Sequence, residues 1–139
     1  LYKGDGIPFD KEEACRYYKM AADKGNANAM NNYGFMLQKG DGVQINKEKA
    51  CYYYKMGAEK GNANAMYNYG FMLDNGYGTK VNKEEAIKYY KKAASKGNTN
   101  AVLKLKELQI LWEKMSKKRR LNSLCHFAPL KFYFIFFPK

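Results

Sequence analysis

Apolar positions recur along the chain at helical spacing, and the same stripes return a fixed distance further on. Within residues 27–39, Ala29, Tyr33, Met36 and Leu37 stand at i, i+4, i+7 and i+8, one face of a helix. A shift of 36 residues brings the stripe back as Ala65, Tyr69, Met72 and Leu73. Between these copies lies a second stripe, Ala50, Tyr53, Tyr54 and Ala58, which returns as Ala86, Tyr89, Tyr90 and Ala94. Ala14 and Tyr17 open an earlier copy of it. The pattern predicts two helices per unit, with small residues where helices approach closely and rings filling the gaps. Such units bury their apolar faces against neighbours rather than around one centre, so the fold class is all-α, a solenoid of helix-turn-helix repeats.

Local punctuation agrees with the period. Gly25, Gly61 and Gly97 follow Lys-rich helix ends and suit the left-handed position just past a C-cap. Gly40-Asp41-Gly42 and Gly76-Tyr77-Gly78 end the first helices. Asp10, Asn46 and Asn82 open the second helices as N-caps. Glu13 and Glu85 complete capping boxes, and Lys49 interrupts the middle one. Gly34 and Gly70 lie inside a helix, where glycine costs about 1 kcal/mol relative to alanine. Their recurrence predicts a close approach by a neighbouring helix.

The organisation read from this is a partial repeat over 1–24 (second helix only), full repeats over 25–60 and 61–96, a degenerate repeat over 97–118, and a basic, then aromatic tail over 119–139. In the degenerate unit Val102, Leu105 and Lys106 replace Met, Tyr and Gly. It reads as one capping helix to about Lys118, with Ala101, Leu105, Leu108, Leu111, Trp112 and Met115 on one side. The chain opens midway through a repeat. The expectation is therefore an array that continues upstream, a helix over Asp10–Lys24 with an uncovered face, and a modest melting temperature or association through that face.

The run Asn-Ala-Met-x-Asn-Tyr-Gly-x-Met-Leu, then Gly-x-Gly, then Asn-Lys-Glu-x-Ala-x-x-Tyr-Tyr, then Ala-x-x-Gly-Asn, resembles the Sel1-like repeat family, relatives of the tetratricopeptide repeats with a longer unit. The resemblance covers residues 1 to about 101. It implies a right-handed superhelix whose first helices line a concave face. It also implies adaptor or scaffold work, such as assembling membrane-protein degradation complexes, signalling proteins or secretion-linked partners. Relatives stand beside kinase domains in longer chains, which makes a regulatory region of a signalling enzyme an alternative. Secreted bacterial members carry disulfides inside the repeats and have been linked to penicillin binding. Here Cys15 and Cys51 share one repeat position with Ile87, a small buried hydrophobe, so that activity is not carried over.

Opposite the core stripe, the first helices carry Asn28, Asn31, Phe35 and Gln38 in one unit and Asn64, Tyr67, Phe71 and Asp74 in the next, with Asn68 beside them. Matching Tyr33-Gly34 to the Leu-Gly of the tetratricopeptide pattern places this stripe on the concave groove. Asparagine offers donor and acceptor to an extended peptide backbone, and a central ring supplies an interface anchor. The expected partner is a protein or peptide. The competing reading packs Phe35 and Phe71 between adjacent first helices as core.

Charge adds one rival. Lys and Arg number 25 against 13 Asp and Glu, a formal +12 in 139 residues. The excess is concentrated after the repeats, around Lys114, Lys117, Lys118, Arg119 and Arg120. Those side chains suit an anionic surface, nucleic acid or membrane, or simply the favourable end of a helix dipole. The Phe-rich segment from Leu130 to Phe137 reads as a docking segment, a fold-back over the array's end, or sequence foreign to the repeats. A single histidine, His126, rules out a multi-histidine metal site, and three cysteines without ligand spacing point to a reducing, intracellular compartment. Glu12-Glu13 and Glu84-Glu85 fall in first turns, where carboxylates suit the helix dipole rather than acid–base work. No catalytic constellation is found, and neither cofactor nor small-molecule substrate is expected.

Overall fold

The computed structural model describes residues 10–122, which are helical throughout apart from caps and loops. Leu130–Phe137 and the single histidine, His126, lie outside the described residues. Six helices follow in order: α1 Lys11–Asp23, α2 Ala27–Lys39, α3 Lys47–Glu59, α4 Ala63–Asn75, α5 Lys83–Ser95 and α6 Thr99–Asn122. The first five are 13 residues long, and α1, α3 and α5 begin on the side chains expected to cap them. Asp10 accepts from the Glu12 and Glu13 amides, Asn46 from Lys49 and Asn82 from Glu85. The first helices use Asn26 and Asn62 in the same way. These caps satisfy amides that have no partner within the helix.

The core forms where the two stripes meet. Ala29, Tyr33, Met36 and Leu37 are buried on α2, as are Ala65, Tyr69, Met72 and Leu73 on α4. Tyr54 and Tyr90 are fully buried, and their rings lie on glycines of the preceding helix. A Cβ on Gly34 would stand 2.9 Å from the Tyr54 ring, and one on Gly70 2.9 Å from the Tyr90 ring. The glycines' helix cost is offset by this packing of a whole ring. Tyr33 and Tyr53 meet edge-on at 4.8 Å, and Tyr69 and Tyr89 at 4.7 Å. Cys15 and Cys51 are free thiols buried among these residues.

Each first helix packs most heavily on the second helix of its own unit, and α2 also touches α4 directly. The direct α2–α4 contact agrees with first helices lining a common side, as the family resemblance implies. Helix α6 packs on α5 in the position of a first helix. Gly40 and Gly76 end α2 and α4 in left-handed conformation, but Trp112 holds the corresponding place in α6 and the helix runs on to Asn122. It therefore extends past the expected end. The single apolar side expected for α6 is also corrected: Ala101, Leu105 and Leu108 pack on the core, whereas Leu111 and Met115 are more than half exposed. The neighbouring helix is only 13 residues long and cannot cover the second half.

Candidate functional site

The candidate groove side is built from equivalent positions of α2, α4 and α6. Phe35 is 45% exposed, with the Lys39 ammonium 5.8 Å from its ring centre. Its copy Phe71 is half-buried against Tyr77, centroids 5.9 Å apart. Tyr67 is half-buried, tilted against the buried Tyr90 ring at 5.6 Å. The rings thus combine a packed edge with an accessible edge. Burial pushes the Tyr67 hydroxyl above its ordinary value, with Glu107 acting in the same direction, so it remains a neutral hydrogen-bonding group at neutral pH.

The asparagines are already partly engaged with one another. Asn62 donates through Nδ2 to Asn28 Oδ1 at 2.5 Å, Asn98 to Asn64 Oδ1 at 2.8 Å, and Asn68 to Asn31 Oδ1 at 2.8 Å. Asn62 and Asn98 use their own oxygens on the Ala65 and Ala101 amides. The resulting ladder ties each unit to the next and fixes the spacing of the first helices. Asn28 and Asn64 stay exposed, and their amide donors remain available for a backbone carbonyl. An open hollow of about 440 Å³ lies beside Asn28, lined by Asn26, Ala27, Asn28, Lys60, Gly61, Asn62 and Ala63.

Gln38 and Asp74 require a correction, because they turn inward rather than into an open groove. Gln38 Oε1 accepts the Tyr54 hydroxyl at 2.8 Å. Asp74 is 7% exposed and accepts Lys83 Nζ at 2.6 Å and the Tyr90 hydroxyl at 3.4 Å, with Lys104 Nζ 3.6 Å away. Leu103, by contrast, was not anticipated. It continues the row formed by Asn31 and Tyr67 and is 57% exposed. The repeat shift applied once more to Tyr67 finds it.

Lys114, Lys117, Lys118, Arg119 and Arg120 are all exposed on the overhanging half of α6. They are not gathered on one side of it, since they surround the same turns as Leu111 and Met115. Burial pushes the Cys15 and Cys51 thiols up, away from the thiolate a nucleophile needs. Burial likewise raises the Tyr54 and Tyr90 hydroxyls, and Tyr69 reaches about 12. Among the described residues no group of three or more His, Cys, Asp or Glu is placed to hold a metal ion, and no helix is long and apolar enough to cross a membrane.

The sequence model of the Sel1 repeat matches residues 1–26, 27–62 and 63–98. The fold is similar to that of a protective antigen of uropathogenic Escherichia coli displaying an SLR fold, at 30% identity and TM-score 0.71, covering 80% of this chain and 23% of that one. A Sel1 repeat protein from Oxalobacter formigenes is 33% identical over 71% of this chain and 29% of its own, with TM-score 0.68. Cysteine-rich protein B of Helicobacter pylori, at 23% identity, shares the fold with TM-score 0.63, covering 66% of this chain and 69% of its own. This chain therefore spans under a third of the first two. No curated protein matches the sequence.

Proposed function

Because the chain belongs to the Sel1 repeat family, we propose that it is a non-catalytic interaction scaffold whose concave face holds a peptide or helix of a partner protein. Proteins of this family typically act as protein-interaction scaffolds. The observation that carries the groove reading is the row of accessible aromatic edges, Phe35, Tyr67 and Phe71, held on helices that the asparagine ladder spaces. A surface ordered in advance loses little freedom on binding. Phe35, Tyr67 and Phe71 are the anchors. Asn28 and Asn64 donate to the partner's backbone, and Asn31 and Asn68 hold the helices in place. Leu103 extends the apolar row towards α6.

The test is affinity capture from the source cell's lysate with the full chain, wild type against the Phe35→Ala, Tyr67→Ala, Phe71→Ala variant, after circular dichroism shows both folded. A partner kept by the wild type in high salt and lost by the variant supports the groove. Capture that ignores the substitutions but disappears with salt favours a second reading, carried by the exposure of all five basic residues on α6. That reading is contact with an anionic surface, whose affinity falls steeply with salt.

A further inference from the structure

Helix α6 differs from the other first helices in what it leaves uncovered. Helices α2 and α4 end at Lys39 and Asn75, whereas α6 continues to Asn122, past the cover that the 13-residue α5 provides. Ile110 is 50% exposed, Leu111 54%, Met115 55% and Leu121 87%. These large apolar side chains share their turns with Lys114, Lys117, Lys118, Arg119 and Arg120, all exposed, and with a single carboxylate, Glu113.

Their arrangement round the helix restricts what could cover them. At about 100° per residue, Ile110 and Leu121 fall on one line, and Leu111 and Met115 fall on a second. Lys114 and Lys118 stand between the two lines. Lys117 and Arg120 flank the first on its far side, and Arg119 flanks the second. A bilayer surface takes a helix with its charge on one side and its apolar residues on the other. Here it would draw Lys114 and Lys118 down with the apolar side chains. Nucleic acid would neutralise the cations and leave the four apolar side chains facing a charged backbone. A cleft with two apolar walls and acidic rims meets both demands. One wall takes Ile110 and Leu121, the other takes Leu111 and Met115, and carboxylates lie against the cations between and beside them.

We infer that the overhanging half of α6 docks in an acidic, apolar-walled cleft of a partner protein. Basic helices with apolar anchors at i and i+4 are recognised in this way. Helix α6 is formed before the partner arrives, so little order is lost on binding. The inference narrows the anionic-surface reading and rests on the same five basic residues; it makes no use of Phe35, Tyr67 or Phe71.

The experiment titrates the full chain into fluorescently labelled calmodulin, an acidic protein whose methionine-rich clefts open with calcium, with binding read by anisotropy. Saturable one-to-one binding at about 10 µM or tighter is expected with calcium. Chelating the calcium keeps the acidic charge and closes the clefts, and should weaken binding about tenfold or more. The combined Ile110→Gln, Leu111→Gln, Met115→Gln, Leu121→Gln variant keeps the net charge and a good helix former at each place. Circular dichroism should show it folded, and it should bind about tenfold or more weakly. The Phe35→Ala, Tyr67→Ala, Phe71→Ala variant should bind as the wild type does. Absence of saturable binding up to about 100 µM overturns the inference, as does binding indifferent to calcium or to the glutamine substitutions. Loss of binding in the Phe35, Tyr67, Phe71 variant overturns it too, by moving the site to the candidate groove. Tighter binding to duplex DNA or to phosphatidylserine vesicles, unchanged by the glutamine substitutions, overturns it and leaves the anionic-surface reading standing.

Discussion

The units over 25–60 and 61–96 are near-copies in sequence and backbone, yet they close the same tyrosine slot by different means. In the first, the Tyr54 hydroxyl donates to the neutral Gln38 at 2.8 Å. In the second, the corresponding partner of Tyr90 is the carboxylate of Asp74, 7% exposed and drawn to Lys83 at 2.6 Å. Lys83 also donates to the Asp74 backbone carbonyl at 2.7 Å. Lys104, on α6, stands 3.6 Å from the other carboxylate oxygen. A buried carboxylate is costly unless it is paired and hydrogen-bonded, and here α5 and α6 supply the cations. In the first unit those places are held by Lys47, which lies over the Tyr77 ring at 4.5 Å, and by Asn68, which joins the asparagine ladder. The same repeat position thus seals a ring in both units, and in the second it also adds an ionic tie from α4 to α6.

If the two units share one steric slot, breaking it should cost the same in each. Gly34→Leu and Gly70→Leu should both destabilise by about 3 kcal/mol or more, because backbone as well as ring would have to shift. Urea unfolding measures this, and a large inequality would break the equivalence. The chemical difference should then show as Asp74→Ala costing about 2 kcal/mol against about 1 kcal/mol for Gln38→Ala. The Asp74 value should shrink in high salt because Lys83 is largely exposed, while the Gln38 value should not move.

Alkali offers a third, milder probe. Burial raises the hydroxyls of Tyr54, Tyr69 and Tyr90, Tyr69 to about 12 from an ordinary 10.0. The unfolded chain therefore releases these protons first. Their contribution to stability is complete below about pH 10 and is lost as pH rises towards 12. Denaturation followed with tyrosinate absorbance should show ionisation of these rings coinciding with unfolding, and free titration near pH 10 in the folded state would contradict their burial. The smallest effect belongs to Phe35→Ala, which should change stability by no more than about 0.5 kcal/mol because the ring is 45% exposed. Phe71→Ala should cost more, since that ring packs on Tyr77.

Much of the fold was legible in one sequence because each unit states it again. Asn46, Asn82 and Asp10 are caps by residue type and position, and the core stripes of α2 and α4 follow from helical spacing alone. Gly34 and Gly70 could be read as a close approach because a helix does not keep a costly residue at one repeat position without a packing reason. The site was less legible. A helical wheel assigns Gln38 and Asp74 to the side opposite the core stripe, but both reach back to a tyrosine of the following helix. Leu111 and Met115 fall on the apolar side of a wheel whose partner helix is too short to meet them.

The sequence by itself determined the repeat period, the helix ends and the buried stripes, since these depend on local backbone geometry and on spacing along one helix. Only the tertiary structure decided which outward residues face solvent and which face the next unit. Asn28, Asn31 and Asn64 became rungs of a ladder because stacking brings residues more than thirty positions apart within hydrogen-bonding reach. Tyr18, identical in type to Tyr54 and Tyr90, remains exposed for the complementary reason: burial is a property of the neighbour that covers a ring, and α1 has no first helix packed on that face among the described residues.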